Sequence, residues 1–270
     1  MTPGNVITAL ERRAAILRGH IVRAAATHFV HLGGALSCTD VMAALFFHFL
    51  RLEGEGGKRD RFLLSKGHAV TALHACLAEL GKIDAAELLH AGEAGSRLAG
   101  HPTRKAPGVE FGTGSLGHAL SVGVGIALAE RLNGSGSRTV VLLGDGEIQE
   151  GTVWEAALSA PRFGLGSLIA IVDSNGLQAG GKVEEIMPLE PLAAKWRAFR
   201  WNVIEIDGHD MAAIVGALDE ASTSTAPTAI IARTVKGKGV ASLEGLPWCH
   251  YTTLSSDDVE HALAALEAVR

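Results

Sequence analysis

Apolar positions along the chain fall into two kinds of pattern. Residues 140–143 (Val-Val-Leu-Leu) and 168–172 (Leu-Ile-Ala-Ile-Val) are short, unbroken, largely branched runs, the pattern of strands buried on both faces of a parallel sheet. Each run stops abruptly, the first at Gly144-Asp145-Gly146 and the second just before Asn175. Residues 61–65, 202–206 and 228–232 read as further strands. Between the strands, apolar residues recur at helical spacing. One such stretch is 7–27, with Leu10, Ala14, Ile16, Leu17, Ile21 and Ala24 on its apolar side; the stretch 30–34 breaks it. Thr39-Asp40 is expected to cap a very apolar helix through Leu50. Further helices are expected from after His68 to about Leu80, at 84–91 and 120–132, from about 150–152, and at 192–199 and 211–222. Strands alternating with helices predict an α/β fold, a doubly wound, mostly parallel sheet flanked by helices. We expect it to form a single domain over 1–270, with an N-terminal helical segment. Residues 53–60 and 92–111 read as loops, and a loop as long as the second is usually functional or disordered.

Open α/β sheets bind ligands outside the carboxyl ends of their strands. Asn175 follows Asp145 by 30 positions, and one strand-helix-strand unit takes roughly 30 residues. The two side chains are therefore expected at adjacent strand tips. A carboxylate, an amide oxygen and nearby backbone carbonyls are hard donors that suit magnesium or calcium rather than zinc. Magnesium held by so few protein oxygens bridges to phosphate. Gly144 and Gly146 permit close approach of a bulky anion, and a helix starting near Glu150 would aim amide groups at it. Taken alone, Gly-Asp-Gly reads equally as a tight strand-to-helix turn.

Composition narrows the function classes. Hydrophobic residues make up 47% of 270 residues, with 33 Gly and 8 Pro, as in a soluble globular protein rich in glycine loops. A net charge of −5 and a pI near 6.2 give no reason to expect nucleic acid. Cys38, Cys76 and Cys249 are odd in number and widely spaced, against a disulfide framework or zinc ribbon. A reducing cytoplasm is the expected compartment. Glu11, Arg12 and Arg13 interrupt any export signal, and no apolar run reaches the roughly 20 residues that span a bilayer. Residues 112–117 match G-x-G-x-x-G, yet Pro107 and Gly108 spoil the strand that a dinucleotide fingerprint needs before it. His31, His68, His101 and His250 stand in glycine-containing loops, where each suits either the surface or proton transfer near neutral pH. The other eight histidines, His20, His48, His74 and His90 among them, are assigned to packing or surface. Lys66 and Lys236 each follow a strand beside glycine and either reach a diphosphate or stay solvated.

The segments Gly-Asp-Gly-Glu-Ile-Gln-Glu-Gly (144–151) and Asp-Ser-Asn-Gly-Leu-Gln (173–178) together resemble the transketolase form of the thiamine-diphosphate signature. The resemblance runs from His31 in His-Leu-Gly-Gly, through His68 in Leu-Leu-Ser-Lys-Gly-His-Ala and His101 in Gly-His-Pro, to His250 after Trp248-Cys249. It implies thiamine diphosphate held by Mg2+ (or Ca2+) on Asp145, Asn175 and the Leu177 carbonyl. Gly144, Gly146, Glu147, Lys66, His68 and Lys236 would line the diphosphate, and Gly114 and Leu116 would back the pyrimidine. His31, His68, His101 and His250 would surround the thiazolium and substrate, and Glu150 would link two active sites across a subunit interface. Val30, His118-Ala119 and Cys249 depart from the family's usual residues.

The carboxylate that activates the aminopyrimidine lies in the family's C-terminal half, for which this chain has no counterpart. The resemblance therefore implies a separate C-terminal transketolase-like subunit supplying that glutamate, in an α2β2 heterotetramer, with helix 120–132 buried between subunits. The implied reaction moves a two-carbon ketol unit from a ketose (phosphate) to an aldehyde through a cofactor carbanion. Rival readings are a deoxyxylulose-phosphate-synthase-like condensation, a noncatalytic diphosphate-binding subunit, or a nicotinamide oxidoreductase.

Overall fold

A computed structural model describes residues 3–53 and 58–268. Five strands, β1 (Arg61–Leu64), β2 (Thr139–Gly144), β3 (Leu168–Ser174), β4 (Asn202–Asp207) and β5 (Thr228–Arg233), form one sheet in the order β1-β2-β3-β5-β4. Every neighbouring pair is parallel. Successive strand residues point to opposite faces, so Val140, Leu142, Ile169, Ile171 and Ile230 enter one core and Val141, Leu143, Ala170, Val172 and Ile231 the other. This double burial explains the unbroken apolar runs. The first face is covered by α1 (Pro3–Thr27), α2 (Leu32–Ser37), α3 (Thr39–Ala44), α4 (Val70–Glu79), α8 (Met211–Thr223) and α9 (Ser256–Glu267). The second is covered by α5 (His118–Leu132), α6 (Gly151–Arg162) and α7 (Leu192–Ala198). The doubly wound parallel sheet expected from the sequence is the observed one.

Differences are local and have physical causes. The His-Leu-Gly-Gly segment does not simply break α1 but opens α2, with His31 at its N-terminus. Thr39 does not cap: its hydroxyl turns back to the Ala35 carbonyl at 2.9 Å, while Asp40 is drawn into an ion pair with Arg18 at 2.6 Å. The helix expected through Leu50 ends in a wider π turn at Leu45–Phe49, and the one expected at 84–91 is a 3-10 turn, Ala85–His90, with an Asp84/Glu87 capping box. A short hairpin, Leu177–Gln178 with Gly181–Lys182, carries too few periodic residues to be read in advance; α9, capped by Ser255, packs Val259, Ala262, Leu263 and Leu266 at helical spacing and is a further element beyond those expected. Of the 53–60 loop, residues 54–57 lie outside the described residues.

The register pairs Gly144 with Asp173, so the segments carrying Asp145 and Asn175 leave the sheet side by side. Asp173, 1% exposed, ties this edge together. Its carboxylate accepts from Ser37 Oγ (2.6 Å) on α2, Lys66 Nζ after β1, Thr234 Oγ1 after β5 and Asn175 Nδ2 (3.0 Å). Burial opposes both charges of the Lys66–Asp173 pair, but their mutual attraction and the hydrogen bonds outweigh it. The Lys66 pKa ends raised and the Asp173 pKa lowered.

Replacing one partner of such a pair strands the other charge, at a cost of about 3–5 kcal/mol, whereas a well-packed apolar pair can be nearly neutral. Asp173→Asn is therefore expected to lower the melting temperature by on the order of 10 °C. The double variant Asp173→Leu/Lys66→Met should recover part of that loss. Calorimetry showing Asp173→Asn as stable as wild type would contradict the assignment.

Candidate functional site at the carboxyl edge of the sheet

Every position singled out from the sequence lines one cavity of about 390 Å3 at the carboxyl ends of the strands. The β2 tip contributes Gly144, Asp145, Gly146, Glu147 and Glu150; the β3 tip contributes Asn175 and Leu177. Lys66 and His68 follow β1, Lys236 follows β5, and His31 starts α2. His101, Gly114 and Leu116 come from the long loop before α5, and His250 from the 3-10 turn Pro247–His250. Gly34, Gln149, Gln178 and Ala179 line the cavity as well.

Asp145 is buried and accepts backbone N–H groups of Gly146 (2.8 Å) and Gly176 (2.6 Å). Burial, and next the Asp173 charge, push its pKa up to about 6. Asn175 accepts the Leu177 N–H at 3.1 Å. The Leu177 carbonyl in turn accepts Lys236 Nζ at 2.9 Å, so that oxygen already faces a cation. Among the described residues no three His, Cys, Asp or Glu side chains gather as a metal site. A metal here would rely on one carboxylate, one amide and one carbonyl, a set suited to magnesium or calcium. These donors fit the cation that the resemblance implies.

Lys66 is 1% exposed, so it is not the solvated lysine that the sequence left open. Its ammonium is committed to Asp173, although it still lines the cavity. Lys236 has no carboxylate partner in the site. Burial, and next the Lys66 charge, lower its pKa to about 8. Glu147 spends its carboxylate on Ser65 Oγ, Gly117 N (2.9 Å) and Gly144 N (2.9 Å), fastening the glycine loop to the strand tips. Glu150 stands exposed at the start of α6. Gly146 is required by space, since a Cβ there would lie 2.8 Å from that of Gln178.

The four loop histidines meet as a cluster. The His31 ring lies 5.6, 5.6 and 5.4 Å from those of His68, His101 and His250, and His68 lies 5.3 Å from His250. Burial, reinforced by neighbouring lysines and imidazoles, pushes His31 and His250 down to about 4 and His68 lower still. All three are neutral at neutral pH. His250 Nδ1 is 3.1 Å from Lys236 Nζ; facing an ammonium it acts as acceptor, which leaves the proton on Nε2. Cys249, which separates Trp248 from His250, is buried and does not displace the imidazole from the cavity.

Sequence reasoning missed the layer beneath. Asp173 opens the Asp-Ser-Asn-Gly-Leu-Gln segment, and a carboxylate at the end of an otherwise apolar strand was the available signal. Asp40 accepts from Arg18 and His209 Nδ1 (2.7 Å), while His209 Nε2 accepts the Val235 N–H (2.8 Å) beside Lys236. The backbone donor fixes this tautomer. A larger cavity of about 860 Å3 opens at the amino ends of the strands and contains none of the expected residues. Its arginines are already engaged, Arg51 and Arg138 with Asp60 and Arg131 with the Phe163 carbonyl. No helix among the described residues is long and apolar enough to cross a membrane.

Residues 15–267 match the family described as "Transketolase, thiamine diphosphate binding domain". The chain is 42% identical over 237 residues to a subunit of the apulose-4-phosphate transketolase of Phocaeicola vulgatus, covering 86% of this chain and 84% of that protein. It is 40% identical over 242 residues to "6-deoxy-6-sulfo-D-fructose transketolase subunit SqwG" of Clostridium sp., covering 88% of each. The fold is similar to the crystal structure of transketolase from Campylobacter jejuni, with TM-score 0.86 and 30% identity over 97% of this chain and 43% of that one. The chain thus spans about two fifths of the length of such solved transketolases. With the family matched over nearly its whole length and the expected residues gathered in one cavity, this chain belongs to the transketolase family, as its thiamine-diphosphate-binding domain.

Proposed function

We propose that this chain is the diphosphate-binding subunit of a two-chain transketolase-like enzyme, which transfers a two-carbon ketol unit from a ketose (phosphate) to an aldehyde. In this reading it is a single domain over 1–270 and works in the cytoplasm as half of an α2β2 heterotetramer. A separate C-terminal subunit supplies the glutamate that activates the aminopyrimidine. The observation that carries the reading is that Asp145, Asn175, Leu177, Lys236 and four histidines all line one cavity. Relatives named as subunits support the two-chain arrangement. So do the small residues Ser121, Gly125 and Ala129 exposed along α5, and Leu132 and Leu158, 77% and 65% exposed.

Thiamine diphosphate, when bound, supplies the nucleophilic carbon and takes up the electron pair released on C–C cleavage. The chain's own residues bind, orient and move protons. Ionised Asp145, with Asn175 Oδ1 and the Leu177 carbonyl, holds the metal, while Gly144, Gly146, Glu147, Lys66 and His68 form the diphosphate wall. Buried Lys236 adds a positive charge beside them. Gly114 and Leu116 present backbone and an apolar side chain to the pyrimidine. Neutral His31, His68 and His250, together with His101, hydrogen-bond carbonyl and hydroxyl oxygens, His250 donating from Nε2. Glu150, exposed at the α6 start, meets the partner.

Three outcomes are expected. Ketol transfer from a ketose phosphate to an aldose should require both this chain and its partner; carbon dioxide release in place of transfer would contradict the reaction. A ligand at a hundredfold its Kd stabilises by about 2.7 kcal/mol, so magnesium plus thiamine diphosphate should raise the melting temperature of wild type. Asp145→Asn should fold and show no such rise; an undiminished rise would contradict the metal assignment. The third concerns pH. Because Asp145 has a raised pKa of about 6, its contribution to the metal-free fold is complete below the unfolded value of about 3.9 and is lost as pH rises through 6. Metal needs the ionised form, so calorimetric affinity for magnesium and the cofactor should fall as pH drops below about 6. An affinity flat from about pH 7 to 5 would contradict this.

A further inference from the structure

A second cavity, about 320 Å3, adjoins the first and shares His31, His68 and His101 with it. Its floor includes His74 of α4. This imidazole is 2% exposed and its Nε2 is buried with no hydrogen-bond partner. A buried polar atom without a partner costs about 1–3 kcal/mol, so the packing or surface role expected for His74 from the sequence does not account for it. Burial lowers the His74 pKa to about 4, and no Lys, Arg, Asp or Glu lines the cavity. The cavity is therefore lined without ammonium, guanidinium or carboxylate groups, unlike its neighbour with Lys66, Lys236 and Asp145.

The mouth is aromatic. Phe29 and Tyr251, 59% and 54% exposed, stack at 5.5 Å, and Tyr251 lies 4.7 Å from His31. An antiparallel bridge between Val30 and Thr252, with hydrogen bonds of 3.1 Å in both directions, holds the two rings side by side. Two half-exposed rings beside a pocket that lacks Lys, Arg and carboxylate groups and holds one unmet polar atom form an amphipathic binding surface.

The geometry points to a subsite for the uncharged, hydroxyl-bearing carbon chain of a sugar substrate, with His74 Nε2 bonding a hydroxyl and the Phe29–Tyr251 pair covering the sugar's C–H face. This rests on the reading above that the enzyme acts on sugars. A charged phosphate or sulfonate end would lie elsewhere, since no lysine or arginine lines this pocket. His74 is thus a specificity-determining residue rather than a catalytic one.

The test begins with binding to the full chain. The His74 Cε1–Hε1 resonance, assigned by its loss in His74→Gln, is followed by NMR during titration with erythritol and, separately, with 1-butanol. A saturable shift with erythritol and none with 1-butanol is expected, and His74→Leu should weaken erythritol binding about tenfold. In the assembled enzyme, His74→Leu should raise the KM for D-erythrose about tenfold with kcat within about twofold, and His74→Gln should restore part of it. An unmoved His74 resonance, or equal KM in the Leu variant, would overturn the subsite and leave Nε2 to water alone. A selective shift in a chain that shows no ketol transfer with any partner would uphold the subsite while refuting the two-chain enzyme. Should the Leu variant fail to fold, the wild-type titration decides.

Discussion

The buried contact between Lys66 and Asp173 is the constraint on which the site depends. Taking two full charges out of water is costly and is repaid only when the remaining lone pairs are satisfied. Asp173 meets that condition with donors from four segments: Ser37 on α2 after His31, Lys66 before His68, Thr234 ahead of Lys236, and Asn175 at the proposed metal position. One carboxylate therefore fixes the relative placement of segments that lie far apart in the chain. The Arg18–Asp40–His209 relay to the Val235 N–H does the same for the Lys236 loop from the opposite side.

That arrangement sets the electrostatics of the cavity. Lys66 is neutralised by Asp173, and Asp145 and Glu147 are held in the same buried edge against a single further cation, Lys236. Such a site has no surplus of positive charge for a diphosphate. A divalent cation held by Asp145, Asn175 and Leu177, as proposed, would reverse the balance, and its charge would offset the desolvation that raises the Asp145 pKa. The imidazole cluster depends on the same burial, because desolvation and the nearby lysines keep His31, His68 and His250 neutral.

Much of this was legible in the chain. Strands β2 and β3 announced themselves because both faces are buried, and the 30-position spacing placed Asp145 and Asn175 on neighbouring tips, where the register puts them. The motif residues converge because loops at the carboxyl edge of a parallel sheet have one place to meet. What escaped notice depends on contacts between distant segments. Asp40 looked like a helix cap until Arg18 and His209 claimed it. His74 reads from the sequence as a packing or surface residue, and nothing in its helical spacing signals a ring nitrogen left without a partner. The hairpin after Asn175 and the turn before His250 are too short for periodicity to register.

The most direct test of the metal anchor is an anomalous-difference map from crystals of this chain grown with thiamine diphosphate and Mn2+ in place of Mg2+. The account predicts one peak about 2 Å from an Asp145 carboxylate oxygen, Asn175 Oδ1 and the Leu177 carbonyl, with diphosphate density against it. A peak among the histidines, or diphosphate bound with no metal at Asp145, would contradict it.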